Sequence, residues 1–253
     1  MITFPDDVKA AYSRSKNIIR KTPLDHSPSL SNIIDGDVYL KLDNIQKTGS
    51  FKFRGAISKM TSLNEKQRKK GVVTASTGNH GAAVSLGMKI LGINGSIIVP
   101  ENIAPNKVEN IKNLGGTVEY YGNDCLEAEQ RAQEISVTTG AIYISPYNDP
   151  VIVAGQGTMG VELDEDLSNI DTVIVAVGGG GLISGIGGYL KTVQPKVEMV
   201  GCSPKNSCVM YESLQAGRIL DLPSKPTLSD GTAGGIEENS ITFEICKKII
   251  SDF

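Results

Sequence analysis

The chain has 253 residues, 40% of them hydrophobic and 21% charged, with a formal net charge of −3. That length suits one large domain or two modest ones, and the balance is that of an ordinary globular chain. The slight acidity gives no broad electrostatic case for nucleic acid, and no apolar run is long enough to cross a bilayer.

Residues 1–21 read as an amphipathic helix with Pro5-Asp6-Asp7 near its start, and they lack the apolar core of a signal peptide. Strand patterns then run over Val38 to Leu42, Val72 to Ala75, Ser96 to Val99, Thr117 to Tyr121, Thr172 to Val177 and Val197 to Cys202. Helical patterns fall between or after them, at Phe53 to Leu63, Ala82 to Leu91, Asn106 to Leu114, Leu126 to Thr138, Leu182 to Lys191 and Ile241 to Ile250. Such alternation predicts βαβ units, hence an α/β fold with parallel-rich sheets flanked by helices. The Ser145-Pro146-Tyr147-Asn148-Asp149-Pro150 cluster reads as a turn. No repeat of solenoid period is present.

Three segments carry chemistry. In Lys47-Thr48-Gly49-Ser50-Phe51-Lys52-Phe53 the glycine and serine predict a turn, which places Lys52 in the first turn of a helix. Between two aromatic residues and near a positive helix end, a lysine loses preference for its ammonium form and becomes nucleophilic. The competing reading is a solvated surface lysine. In Thr74-Ala75-Ser76-Thr77-Gly78-Asn79-His80-Gly81, hydroxyls, an amide and free N–H groups meet at a helix start, which favours an anion such as a carboxylate. In Gly178-Gly179-Gly180-Gly181, four glycines after a strand expected to be buried let backbone amides close around a phosphate.

A dinucleotide site is the other reading of those glycines. The G-x-G-x-x-G spacing fails, since Ile183 or Ser184 stands at its third position, and no acidic residue ends the next strand at Gly201-Cys202-Ser203. A Walker A loop fails for want of G-K-[ST].

Together, in this order and spacing, the segments resemble the fold-type II (tryptophan synthase β-like) pyridoxal-phosphate (PLP) enzymes. The branch is that of threonine/serine dehydratases and serine racemases. The likeness runs from Thr22-Pro23-Leu24 to Thr242-Phe243 and takes in Gly155-Gln156-Gly157-Thr158 and Ser229-Asp230-Gly231. The Thr74–Gly81 run is also similar to hydroxyectoine-utilisation dehydratases. The resemblance implies that Lys52 holds the PLP aldehyde as a Schiff base, that Phe51 packs on the pyridine ring and that Asn79 bonds the ring hydroxyl. Gly178, Gly179, Gly180, Gly181 and Leu182 would hold the phosphate. Ser76, Thr77, Gly78, Asn79 and His80 would hold the substrate carboxylate, His80 as an orienting residue rather than a proton shuttle.

The implied activity is an ammonia-lyase that converts L-threonine or L-serine to a 2-oxo acid. The alternatives are an amino acid racemase or a non-catalytic PLP-binding module. Racemases of this kind carry a serine where Thr77 stands, as the acid on the face opposite the lysine. A β-branched threonine is stiffer there, which favours elimination. The resemblance also implies a homodimer and two domains: a small one at 72–149 inserted into a large one at 1–71 and 150–253.

The likeness departs in two places. Where some relatives bind a divalent cation, Ser203 to Val209 offers a lysine and no carboxylate, so no metal is expected. The chain ends after Phe253, where relatives continue with a strand, helices and the residue that bonds the pyridine nitrogen. That suggests a truncated chain with an exposed sheet edge, the alternative being a site completed by another chain or by a rearrangement. Cys125, Cys202, Cys208 and Cys246 form no C-x-x-C pair, which argues against structural zinc and fits a reducing cytoplasm. His26 reads as a loop residue.

Overall fold

The computed structural model describes residues 2–253. At the N-terminus, α1 (Asp6–Ser15) follows Pro5 and carries Asp6 and Asp7 in its first turn, where the helix dipole favours negative charge. A two-stranded antiparallel ribbon, β1 (Leu24–His26) and β2 (Tyr39–Lys41), brackets α2 (Pro28–Ile34). His26 is therefore a strand residue rather than a loop residue; its ring lies 5.2 Å from that of Tyr39. The long helix α3 (Lys52–Ser62) leads to α4 (Glu65–Lys70), which begins with an Asn64–Gln67 capping box.

Four parallel strands follow, in spatial order β5-β4-β3-β6. They are β3 (Val72–Ala75), β4 (Gly95–Val99), β5 (Val118–Tyr120) and β6 (Ile142–Tyr143). Helices α5 (Asn79–Leu91), α6 (Pro105–Asn113) and α7 (Cys125–Thr139) connect them. Next come α8 (Pro150–Asp166), β7 (Thr172–Ala176), α9 (Gly181–Val193), β8 (Glu198–Cys202), α10 (Val209–Ala216) and α11 (Ile241–Ile249). Among the described residues, strand β7 pairs in parallel with β8 alone, and Asp252 bridges the other edge of β8 at Val200. The parallel pairing agrees with the alternation in the sequence. The expected burial of β7 does not hold, because Ile174 is 71% exposed on a face that no helix covers.

Helix α8 is the central post. It packs closely on α3: a Cβ on Gly155 would stand 2.7 Å from the Gly55 Cα and 2.8 Å from the Arg54 carbonyl oxygen, so this position has no room for a side chain. The same junction encloses charge. Arg54 is fully buried, donating to Asp43 at 2.8 and 2.7 Å and to Glu162 at 2.6 and 3.0 Å. Lys41 reaches Glu162 at 2.8 Å, and the Thr22 and Thr158 hydroxyls complete the set. Burial alone would lower the Arg54 pKa, but the bonds to Asp43 and Glu162 outweigh it and hold the guanidinium charged. Lys52 stands two residues before this clamp, so the helix that carries it is fixed at its root.

Candidate active site

The turn expected before Lys52 forms, with Gly49 at a φ of +74°, and Lys52 is the first residue of α3. The residue as a whole is half-buried while its amine is enclosed. The amine donates to the Pro146 carbonyl at 2.9 Å and lies 5.3 Å from the centroid of the Phe51 ring. Burial pushes its pKa down to about 8, so about half of these amines are uncharged at pH 8. Loss of water is the cause of this shift. Two hydroxyls of the preceding turn, on Thr48 and Ser50, are buried without a hydrogen-bond partner.

The run from Ser76 turns β3 into α5, which begins at Asn79, earlier than the helical pattern suggested. The Gly78 N–H donates to Ser76 Oγ at 3.2 Å. Thr77 is half-buried, and Gly78 and Asn79 are exposed. His80 is buried, with Nε2 2.9 Å from the Ile144 carbonyl. A carbonyl can only accept, so Nε2 carries the proton. Burial first, and the Lys52 charge second, push the His80 pKa down to about 3 against the opposing bond to Ile144.

A neutral His80 has a consequence for stability. In the unfolded chain a histidine titrates near 6.5, in the fold only near 3. As pH falls below 6.5 the unfolded state takes up the proton and the folded state does not, so stability is lost. From this residue the loss is about 1.4 kcal/mol per pH unit. Denaturant melts at pH 7 and pH 5 should show a shallower pH slope for His80→Gln than for the wild type; equal slopes would contradict the neutral assignment.

The glycine turn follows β7, with Gly180 at a φ of +80° capping α9. A Cβ at Gly179 would lie 2.7 Å from carbons of the Tyr147 ring, and one at Gly180 would lie 2.9 Å from Cys246 Sγ. Among the described residues, the N–H groups of Gly178, Gly179, Gly180, Gly181 and Leu182 donate to no protein acceptor. Such a row of free amides at a helix start could receive an anion.

The three segments converge. Ile144, Pro146 and Tyr147 are consecutive parts of one crossing strand of chain. They touch His80, Lys52 and the glycine turn in that order. On another side, Asn79 lies against Gly231, and the Thr232 carbonyl lies against Gly178. The sequence marked residues 145–150 only as a turn and left Tyr147 and Asn148 unassigned. The Tyr147 hydroxyl accepts from the Glu237 N–H at 2.8 Å, and Asn148 joins the Glu237 carboxylate to the Ile241 N–H. Nothing short-range signals these partners, which lie some ninety residues away. Among the described residues, no group of three or more His, Cys, Asp or Glu gathers as metal ligands.

Residues 16–253 match the family model described as "Pyridoxal-phosphate dependent enzyme". The chain belongs to this family. Among curated relatives of this family, the L-threonine ammonia-lyase of Thermotoga maritima is 43% identical over 252 residues, all but one of this chain and 62% of that protein. The catabolic L-threonine dehydratase TdcB of Escherichia coli is 38% identical over 98% of this chain and 75% of its own length. Among solved structures, maize serine racemase superposes with a TM-score of 0.93 at 35% identity, covering 98% of this chain and 74% of that one. The chain thus spans between three fifths and three quarters of the length of these relatives. It has the α/β architecture of fold-type II PLP enzymes, and its cofactor is pyridoxal phosphate.

Proposed function

We propose that the chain is a PLP-dependent ammonia-lyase acting on L-threonine or L-serine, with Lys52 as anchor and base. The observation that carries the reading is the enclosed Lys52 amine, lowered to about 8 and held by the same crossing segment that covers the glycine turn. An aldehyde that bears a phosphate ester fits those two features: an amine that loses its proton easily, and free amides where no side chain has room. When bound, pyridoxal phosphate supplies an electron sink for charge at the amino acid's α-carbon.

The roles of the residues follow. The N–H groups of Gly178 to Leu182 bind the phosphate, Phe51 packs against the ring and Asn79 bonds its hydroxyl. Ser76, Thr77, Gly78, Asn79 and His80 bind the substrate carboxylate, with His80 neutral and fixed by Ile144. Orienting that carboxylate sets the Cα–H bond toward Lys52, whose Nζ takes the proton. The β-hydroxyl would then leave as water, gaining a proton that balances the one taken from Cα, and hydrolysis of the enamine so formed would yield the 2-oxo acid and ammonia. One base suffices for this. Two-faced proton exchange would need Thr77 as a second acid, and its stiff side chain supports elimination over racemisation. The names of the two curated relatives above support the same choice, and that of the maize structure keeps the racemase as the second reading.

Incubation with L-threonine or L-serine and PLP tests it: 2-oxobutanoate or pyruvate should appear together with ammonia. D-serine without pyruvate would replace the lyase by the racemase. A second measurement follows from the amine. Capture of PLP by the apo-chain should speed up about tenfold per pH unit up to pH 8 and level off above it, since only the uncharged amine attacks. A break near 10 instead would mean a solvated lysine.

The domain reading at 72–149 against 1–71 and 150–253 is supported by the four-stranded sheet, whose strands all lie between Val72 and Tyr143. Closure of these two parts would exclude water. A homodimer is supported by the exposed apolar Ile33, Ile34 and Leu40 of the β1–α2–β2 segment. A cytoplasmic location is supported by four free thiols. No helix among the described residues is long and apolar enough to cross a membrane.

A further inference from the structure

The back of the glycine turn rests on α11. Thr242 is buried there, and its Oγ1 donates to the Gly179 carbonyl at 2.6 Å. With its own proton committed, that hydroxyl accepts from Ser240 Oγ, also at 2.6 Å. One turn along, Cys246 Sγ lies 3.9 Å from the Gly180 carbonyl; burial pushes its thiol up to about 11, so it keeps its proton. The Gly180 carbonyl also accepts the Ser184 N–H at 3.0 Å.

A trans peptide unit points its carbonyl and the following N–H in opposite directions. A hydroxyl that draws the Gly179 carbonyl toward α11 therefore turns the Gly180 N–H away from α11. The bonds at the Gly180 carbonyl act in the same way on the Gly181 N–H. Glycine peptides need such fixing, because no side chain restrains their rotation. The two N–H groups so directed are among those without a protein acceptor.

We propose that Thr242 is a positioning residue for the phosphate group: its hydroxyl sets the Gly179–Gly180 peptide plane so that the Gly180 N–H faces the anion. This rests on the reading of the glycine turn as the phosphate cup. It assigns binding strength for a phosphate monoester to a residue that acts only through the turn.

The test compares PLP with pyridoxal, which has the aldehyde and lacks the phosphate, as each is titrated into the apo form of the full chain and followed by absorbance. In the wild type PLP should bind far more tightly than pyridoxal. Thr242→Val should weaken PLP about tenfold, the worth of one misdirected hydrogen bond to a charged group. Pyridoxal affinity should stay unchanged, Thr242→Ser should restore the wild-type ratio, and the 31P resonance of the bound cofactor should shift in the valine variant only. A wild-type preference for PLP in Thr242→Val overturns the role of Thr242 and leaves the cup standing. Equal binding of PLP and pyridoxal by the wild type overturns the cup and this proposal with it. If the valine variant fails to fold, Thr242→Ala takes its place. Failure of both, with a normal serine variant, assigns the hydroxyl to stability and overturns the proposal.

Discussion

On the proposed reading, replacing Lys52 with alanine should lower turnover of L-threonine by at least about 10⁴-fold, because the change would remove the covalent anchor and the base in one step. It should do so without unfolding the chain. Among the described residues, the amine has a single protein hydrogen bond, to the Pro146 carbonyl. The helix behind it is held by Arg54, Asp43 and Glu162. The visible band of the PLP complex should vanish, while the melting temperature stays within a few degrees. A small external amine should return part of the activity, since it can take the proton that Lys52 would have taken. Retention of the band in Lys52→Ala would move the anchor to another residue and undo the assignment of the site.

The second large effect is on stability. Arg54→Ala should cost about 3–5 kcal/mol, because it leaves the Asp43 and Glu162 carboxylates buried with too little positive charge. For a chain of this size that is a fall in melting temperature on the order of 10 °C. Arg54→Lys should recover little of it. A single ammonium cannot reproduce two donations to Asp43 and two to Glu162. A loss below about 1 kcal/mol in either variant would mean that the pairs are solvated rather than enclosed.

Much of the site was legible because it rests on local signals. The Gly49-Ser50 turn and the apolar run after it placed Lys52 at a helix start, and α3 begins there. Strand β3 falls on its expected residues, and the tetraglycine leads from β7 into the start of α9 as its composition suggested. Helix α8 left no such trace. All of Ile152 to Leu163 is buried, so no polar stripe marks a helical period. Its start signals, Asp149 as cap and Pro150 at the first position, were absorbed into the turn reading. The ribbon strand β1 has three residues and β6 has two, too few to show alternation. The Arg54 clamp joins residues 108 apart in the chain, and no window reports that. Strand β7 misled in the other direction. A run of β-branched residues looks the same whether its second face is covered or open, and here Ile174 is open.

The enclosed charges of Arg54, Asp43, Glu162 and Lys41 also set how the molecule responds to heat. Stripping water from ions becomes less costly as temperature rises, while the gain from apolar contact per unit area levels off. The junction of α3 with α8 should therefore hold longest in a hot solution. Melting should begin at the thinly covered β7–β8 pair, and the lysine helix should be among the last parts to lose its shape.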